Sequence, residues 1–252
     1  MDLVYSLPGF HQPLASMSHL AGALIFAWLS YYLLRPVWGC RTRFTSVLVF
    51  AGATVALLAI SSTYHMFVPG GIPRAVMLRI DLVAIFILIA ATFTPIHMIM
   101  FSGWRRWGIL ALIWSFALVG SLVRVIWFES ISSVSNAILF LTMGWIGALT
   151  TLFLWQMERR SLILPCAAGG VFYTLGAVAN AKGWPILIPG VWGPHETLHF
   201  AVLAGLTCHW WAVTQVIERG EEDWVIPFRR PEPEMIPLVA ESKKPDWKNR
   251  AA

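Results

Sequence analysis

The 252-residue chain is poor in charge. Only 12% of its residues are Asp, Glu, Lys or Arg, about half the share of a soluble domain, while 58% are hydrophobic. That balance excludes an ordinary soluble globular protein and predicts helices packed within lipid. Acidic residues are scarcest: before residue 218 the carboxylates are Asp2, Asp81, Glu129, Glu158 and Glu196 alone. Cysteine is limited to Cys40, Cys166 and Cys208, with no paired spacing, which argues against a disulfide framework and a thiolate metal site. No Lys or Arg precedes the first apolar run, and that run is too long for a signal-peptide core, so the first span is expected to stay in the mature protein. No basic run carries interleaved aromatics. The net charge of +5 therefore reads as arginines at the ends of membrane spans and calls for no nucleic-acid partner.

Seven apolar stretches, each near the ~20 residues a helical crossing needs, fall at about 16–34, 44–67, 77–101, 106–127, 134–155, 161–180 and 195–217. They predict an all-α fold, a seven-transmembrane helix bundle over residues 1–217. Arg35-Pro36, Pro69-Gly70-Gly71, Gly103-Trp104-Arg105-Arg106 and Glu158-Arg159-Arg160 punctuate the breaks. The apolar 180–194 connection, with Trp184, Pro185, Pro189, Trp192 and Pro194, is expected along the interface. Residues 218–252 hold eight acids, seven bases and five prolines, the composition of a polar, disordered tail.

Connections on the C-terminal side carry Arg35, Arg41, Arg43, Arg105, Arg106, Arg159, Arg160 and Arg219, against Arg74, Arg79 and Lys182 on the other side, with Arg124 near the end of a span assigned to neither. The positive-inside rule then places the C-terminus in the cytoplasm.

Two carboxylates, Asp81 and Glu196, fall inside apolar segments, where an ionisable group costs roughly 2.5–3.5 kcal/mol even on a mild scale. The last span opens with His195-Glu196-Thr197-Leu198-His199, two imidazoles on one helical face at a spacing that grips a metal. Span direction brings further residues to the same membrane face: His65 near the end of span 2, Ser61 one turn deeper, and Asp81 in the first two turns of span 3. Three histidines leave a fourth position open on zinc, the ligand count of a catalytic site. Asp81 suits orienting or deprotonating water, and Ser61 can donate a hydrogen bond to it. His19, at the head of span 1 on that face, is a candidate pocket residue. His97 and His209 lie roughly 15–24 Å away by helix rise and read as packing or interfacial residues; His11 reads as surface.

Ser61-Ser62-Thr63-Tyr64-His65, Arg79-Ile80-Asp81 leading to Ala91-Thr92-Phe93-Thr94-Pro95, and His195-Glu196-Thr197-Leu198-His199 together resemble the hemolysin III family. That family belongs with the progestin and adipoQ receptors and alkaline ceramidases, a superfamily of seven-helix membrane hydrolases. The resemblance extends to Ser18-His19 and Cys208-His209. It implies an intramembrane zinc site on His65, His195 and His199, with Ser61 and Asp81 beside the metal's water, and a bacterial inner membrane as location. The chain departs from the family in lacking an acidic stretch before span 1, and its arginine bias is opposite to the cytoplasmic N-terminus of the adipoQ receptor branch.

The expected function is zinc-dependent hydrolysis of a lipid amide or ester, with membrane lipid as partner. Two alternatives stand beside it: a non-enzymatic lipid sensor with structural zinc, and a pore-forming cytolysin. A third rival, an intramembrane protease using Glu196 as base of His-Glu-x-x-His, lacks the acidic ligand such enzymes take from a later span. Val202 also stands where the longer metzincin motif needs glycine. Glu196 is therefore kept only as a possible pocket residue.

Overall fold

A computed structural model describes residues 5–219. The helices are α1 (Pro13–Leu34), α2 (Arg41–Met66), α3 (Ile72–Met100), α4 (Gly103–Ile126), α5 (Ser133–Trp145), α6 (Gly147–Gln156), α7 (Arg160–Lys182) and α8 (Pro194–Arg219). Among the described residues, seven helical stretches are long and apolar enough to cross a membrane, with α5 and α6 together forming the fifth. Of the tail expected at 218–252, Glu218 and Arg219 continue α8, and 220–252 lie outside the described residues.

The helices start one to five residues earlier than the apolar stretches suggest, because polar and proline residues supply their first turns. Pro13 opens α1 and Pro73 opens α3, where a missing backbone N–H leaves no hydrogen bond unmade. Since α3 begins at Ile72, Asp81 lies in its third turn, not its first two. The fifth span, expected as one helix over 134–155, is divided at Ile146. There the Ile146 N–H donates to the Met143 carbonyl and the Leu149 N–H to the Ile146 carbonyl, a tightened turn flanked by Gly144 and Gly147, both weak helix formers. At the other end of α7, Gly183 takes a left-handed conformation (φ +66°) and its N–H caps the helix on Ala179 and Asn180.

Consecutive helices α1 to α4 pack in order, α7 packs on α6 and α8, and α8 closes the bundle against α1 and α3. Polarity is inverted relative to a soluble protein. Large apolar side chains such as Leu24, Trp28 and Leu118 are exposed, whereas Ser16, His19, Ser61, His65, Asp81, His97 and His199 are buried. In hydrocarbon, apolar surface has no reason to hide and polar groups must find partners inside. Helix contacts depend on small residues: a Cβ on Gly176 would meet the Ala201 Cβ at 2.6 Å, and one on Gly22 would meet Leu203 at 2.7 Å. The 180–194 connection exposes Trp184, Ile186, Leu187 and Ile188.

Candidate metal centre

One end of the bundle gathers the last turn of α2, the third turn of α3, the first turns of α8 and the head of α1. His195 and His199 project from the same face of α8, one turn apart, toward His65 on α2. The His195 Nε2 atom lies 3.3 Å from His65 Nε2 and 3.1 Å from His199 Nε2, and one nitrogen from each ring lies within 4.8 Å of the others. Nitrogens each about 2.0–2.1 Å from a tetrahedral ion stand about 3.3–3.4 Å apart. The two spacings from His195 fit such an ion, and all three nitrogens are near enough together to share one.

One imidazole has a determined tautomer. His65 Nδ1 lies 2.6 Å from Gln12 Oε1, which also accepts from the Arg74 guanidinium at 3.0 Å. A guanidinium only donates, so the shared atom is the amide oxygen; an oxygen only accepts, so Nδ1 carries the proton. Neutral His65 therefore turns an Nε2 lone pair to its partners.

Asp81 is 8% exposed. Its carboxyl lies beside Ser61, and Oδ1 is buried with no hydrogen-bond partner. Ser61 and His65 are four residues apart on α2, so this contact sets the carboxylate one turn below a member of the histidine cluster. The arginines nearest in sequence are engaged elsewhere. Arg79 faces Glu129 at 3.8 Å and stacks over Phe128, and Arg74 holds Gln12 and the Phe67 carbonyl.

His19 is buried with its ring centroid 3.9 Å from that of His199, and neither of its nitrogens has a partner. It lines the cluster from the α1 side. Glu196 behaves differently: its Oε2 accepts the Gly193 backbone N–H at 2.9 Å, while the Gly193 carbonyl receives the Thr197 N–H. This is the glutamate arm of a capping box at the start of α8, an arrangement that accounts for an acid between two histidines without any chemistry.

The remaining histidines have structural partners. His97 Nδ1–H donates to the Arg105 carbonyl at 2.8 Å, leaving Nε2 to accept from the Thr150 hydroxyl at 2.9 Å. His209 lies 3.3 Å from the Cys166 carbonyl and packs beside Tyr173. The His11 backbone N–H bonds the Met66 carbonyl.

Gln12, Arg74 and the Ser16–Ser62 pair were not legible in the sequence. Ser16 donates to the Ser62 carbonyl at 3.0 Å, with the two hydroxyls 3.3 Å apart, tying α1 to α2 beside the cluster. These contacts join residues 46 to 62 positions apart, and no local spacing announces them.

Fold and site together define an integral, multi-pass membrane protein with a three-histidine cluster, two of its members buried and one half-buried, suited to a metal ion. The family described as haemolysin-III related matches residues 10–210, a stretch that includes the first six spans, most of the seventh and every residue of the cluster. The chain belongs to that family. It is 30% identical over 99 residues to Hemolysin-3 of Bacillus cereus, covering 39% of this chain and 45% of that one. It is 28% identical over 127 residues to the Hemolysin-3 homolog of Bacillus subtilis (strain 168), covering 50% and 59%. The chain thus spans about half the length of these relatives.

Proposed function

We propose that this protein is a zinc-dependent hydrolase of an amide or ester bond in a membrane lipid. The observation that carries the reading is the convergence of three imidazole nitrogens within 4.8 Å of one another, with a buried carboxylate that has a free oxygen on the neighbouring helix. His65, His195 and His199 would hold the ion. Bound there, zinc supplies Lewis acidity that polarises a carbonyl and makes water acidic at neutral pH.

The rest of the chemistry falls to the chain. Asp81 accepts a proton through Oδ1 as water adds to the carbonyl carbon. It returns that proton to the leaving nitrogen or oxygen as the carbon–heteroatom bond breaks. Ser61, beside the carboxyl, would donate a hydrogen bond to the water or to the carboxylate as the proton moves. An apolar groove of about 720 Å³ runs between α1 and α8, from Ser18 and Phe200 near the cluster to Leu33 and Glu218 at the far end, and gives a lipid chain a place along the bundle, which supports a lipid over a soluble substrate. The bacterial relatives support a plasma-membrane protein, and the arginine bias supports a cytoplasmic C-terminus.

The name of the Bacillus relatives favours a second reading, lysis of cells through a pore. Against it stands a bundle centre filled by Phe50, Leu58 and Phe86. The deciding experiment is mass spectrometry of lipid extracts incubated with purified wild-type protein and with Asp81→Asn. Fatty acid release by wild type alone supports the hydrolase. Near-stoichiometric zinc with no release by either protein overturns it in favour of a structural metal.

A further inference from the structure

We propose that Gln12 is a positioning residue for the histidine cluster: its carboxamide oxygen, held by Arg74, keeps the His65 imidazole in the tautomer that turns the Nε2 lone pair toward His195 and His199. The proposal rests on the metal-centre reading above.

At 2.6 Å, the His65 Nδ1–Gln12 Oε1 contact is at the short end for an N–H···O bond. It is also held from several directions. The Gln12 backbone N–H donates to the His65 carbonyl at 3.1 Å, and the His11 N–H to the Met66 carbonyl at 3.2 Å. The Gln12 carbonyl in turn receives the Ser16 N–H at the first turn of α1. Arg74 reaches over from α3, donating to both Gln12 Oε1 and the Phe67 carbonyl. Its guanidinium lies 4.6 Å from the Tyr64 ring, which itself packs edge-on against His65 at 4.5 Å. One side-chain oxygen thus joins α1, α2 and α3 at the point where His65 must be aimed. His199 offers the contrast, since its Nδ1 is buried without a partner. A ligand histidine is oriented by what its second nitrogen bonds, and losing that partner typically weakens metal binding by about 10–100-fold.

The test uses the purified full chain in detergent, titrated with Zn²⁺ against a competing chelator. Gln12→Leu should weaken zinc binding by about 10–100-fold. Gln12→Glu, which still offers an oxygen to His65 and Arg74, should bind within a few fold of wild type. Melting of the metal-free proteins reports folding separately. On metal-free wild type, ¹⁵N imidazole NMR should show His65 protonated at Nδ1 and bare at Nε2, a readout that needs no variant. Protonation at Nε2, or a folded Gln12→Leu protein that binds zinc like wild type, would overturn the proposal. If wild type binds no zinc, the metal-centre reading fails, and the NMR still decides the tautomer.

Discussion

Glu196 Oε2 accepts the Gly193 amide proton at 2.9 Å, so the carboxylate inside the pentapeptide His195–His199 is committed to starting α8. Glu196→Gln, which can still accept that bond, should leave zinc content and lipid turnover within about twofold of wild type. Glu196→Ala should lower stability by about 1 kcal/mol through the lost cap, read as a reduced melting temperature. A protease-type base at this position would instead lose orders of magnitude in rate on either change.

Removing a ligand should separate metal from fold. His199→Ala is expected to purify with clearly substoichiometric zinc, measured by elemental analysis, and to lose the melting shift that added zinc gives wild type. At zinc concentrations 100-fold above the dissociation constant, that shift corresponds to about 2.7 kcal/mol. Chelation of wild type should reproduce it, and re-addition of zinc should reverse it.

His97→Ala makes the opposite prediction. It strands the Thr150 hydroxyl and the Arg105 carbonyl, both now bonded to the imidazole, and should destabilise the protein by about 1–3 kcal/mol. Zinc stoichiometry should not change. Equal loss of zinc in His97→Ala and His199→Ala would mean that metal content merely follows stability.

Asp81→Asn keeps shape and burial but removes the proton acceptor. Zinc content should persist, while lipid hydrolysis falls by about 10²–10⁴-fold, measured as released fatty acid. A variant that turns over lipid at the wild-type rate would take Asp81 out of the chemistry.

Gly176 tests the scaffold. A Cβ there would come within 2.6 Å of the Ala201 Cβ and 3.4 Å of the Leu198 backbone, beside the turn of α8 that carries His199. Gly176→Ala should push α7 and α8 apart, costing about 1–3 kcal/mol and weakening zinc binding. Unchanged melting and zinc affinity would show that the interface absorbs the methyl group.

Much of this protein can be read along the chain because lipid imposes simple rules. Apolar length marks the seven spans, scarcity of charge makes Asp81 and each buried histidine conspicuous, and span direction alone sorts His65, His195 and His199 to one face and His97 and His209 to the other. The helix starts were less legible. Pro13 and Pro73 open helices ahead of the apolar stretches, and in α3 that earlier start sets Asp81 about a turn deeper along the helix than the apolar pattern indicated.

Hydropathy and i,i+4 spacing are local, one-dimensional signals, and they suffice to place residues at a depth on a helix. Whether Nε2 atoms meet at 3.1 and 3.3 Å, whether Glu196 faces an ion or its own helix end, and whether a glutamine 53 residues away orients His65 depend on helix rotation and close packing at small residues such as Gly22 and Gly176. Those are properties of the assembled bundle. The histidines announced the end of the protein that carries the candidate metal site; the packed helices decided which side chains hold it in shape.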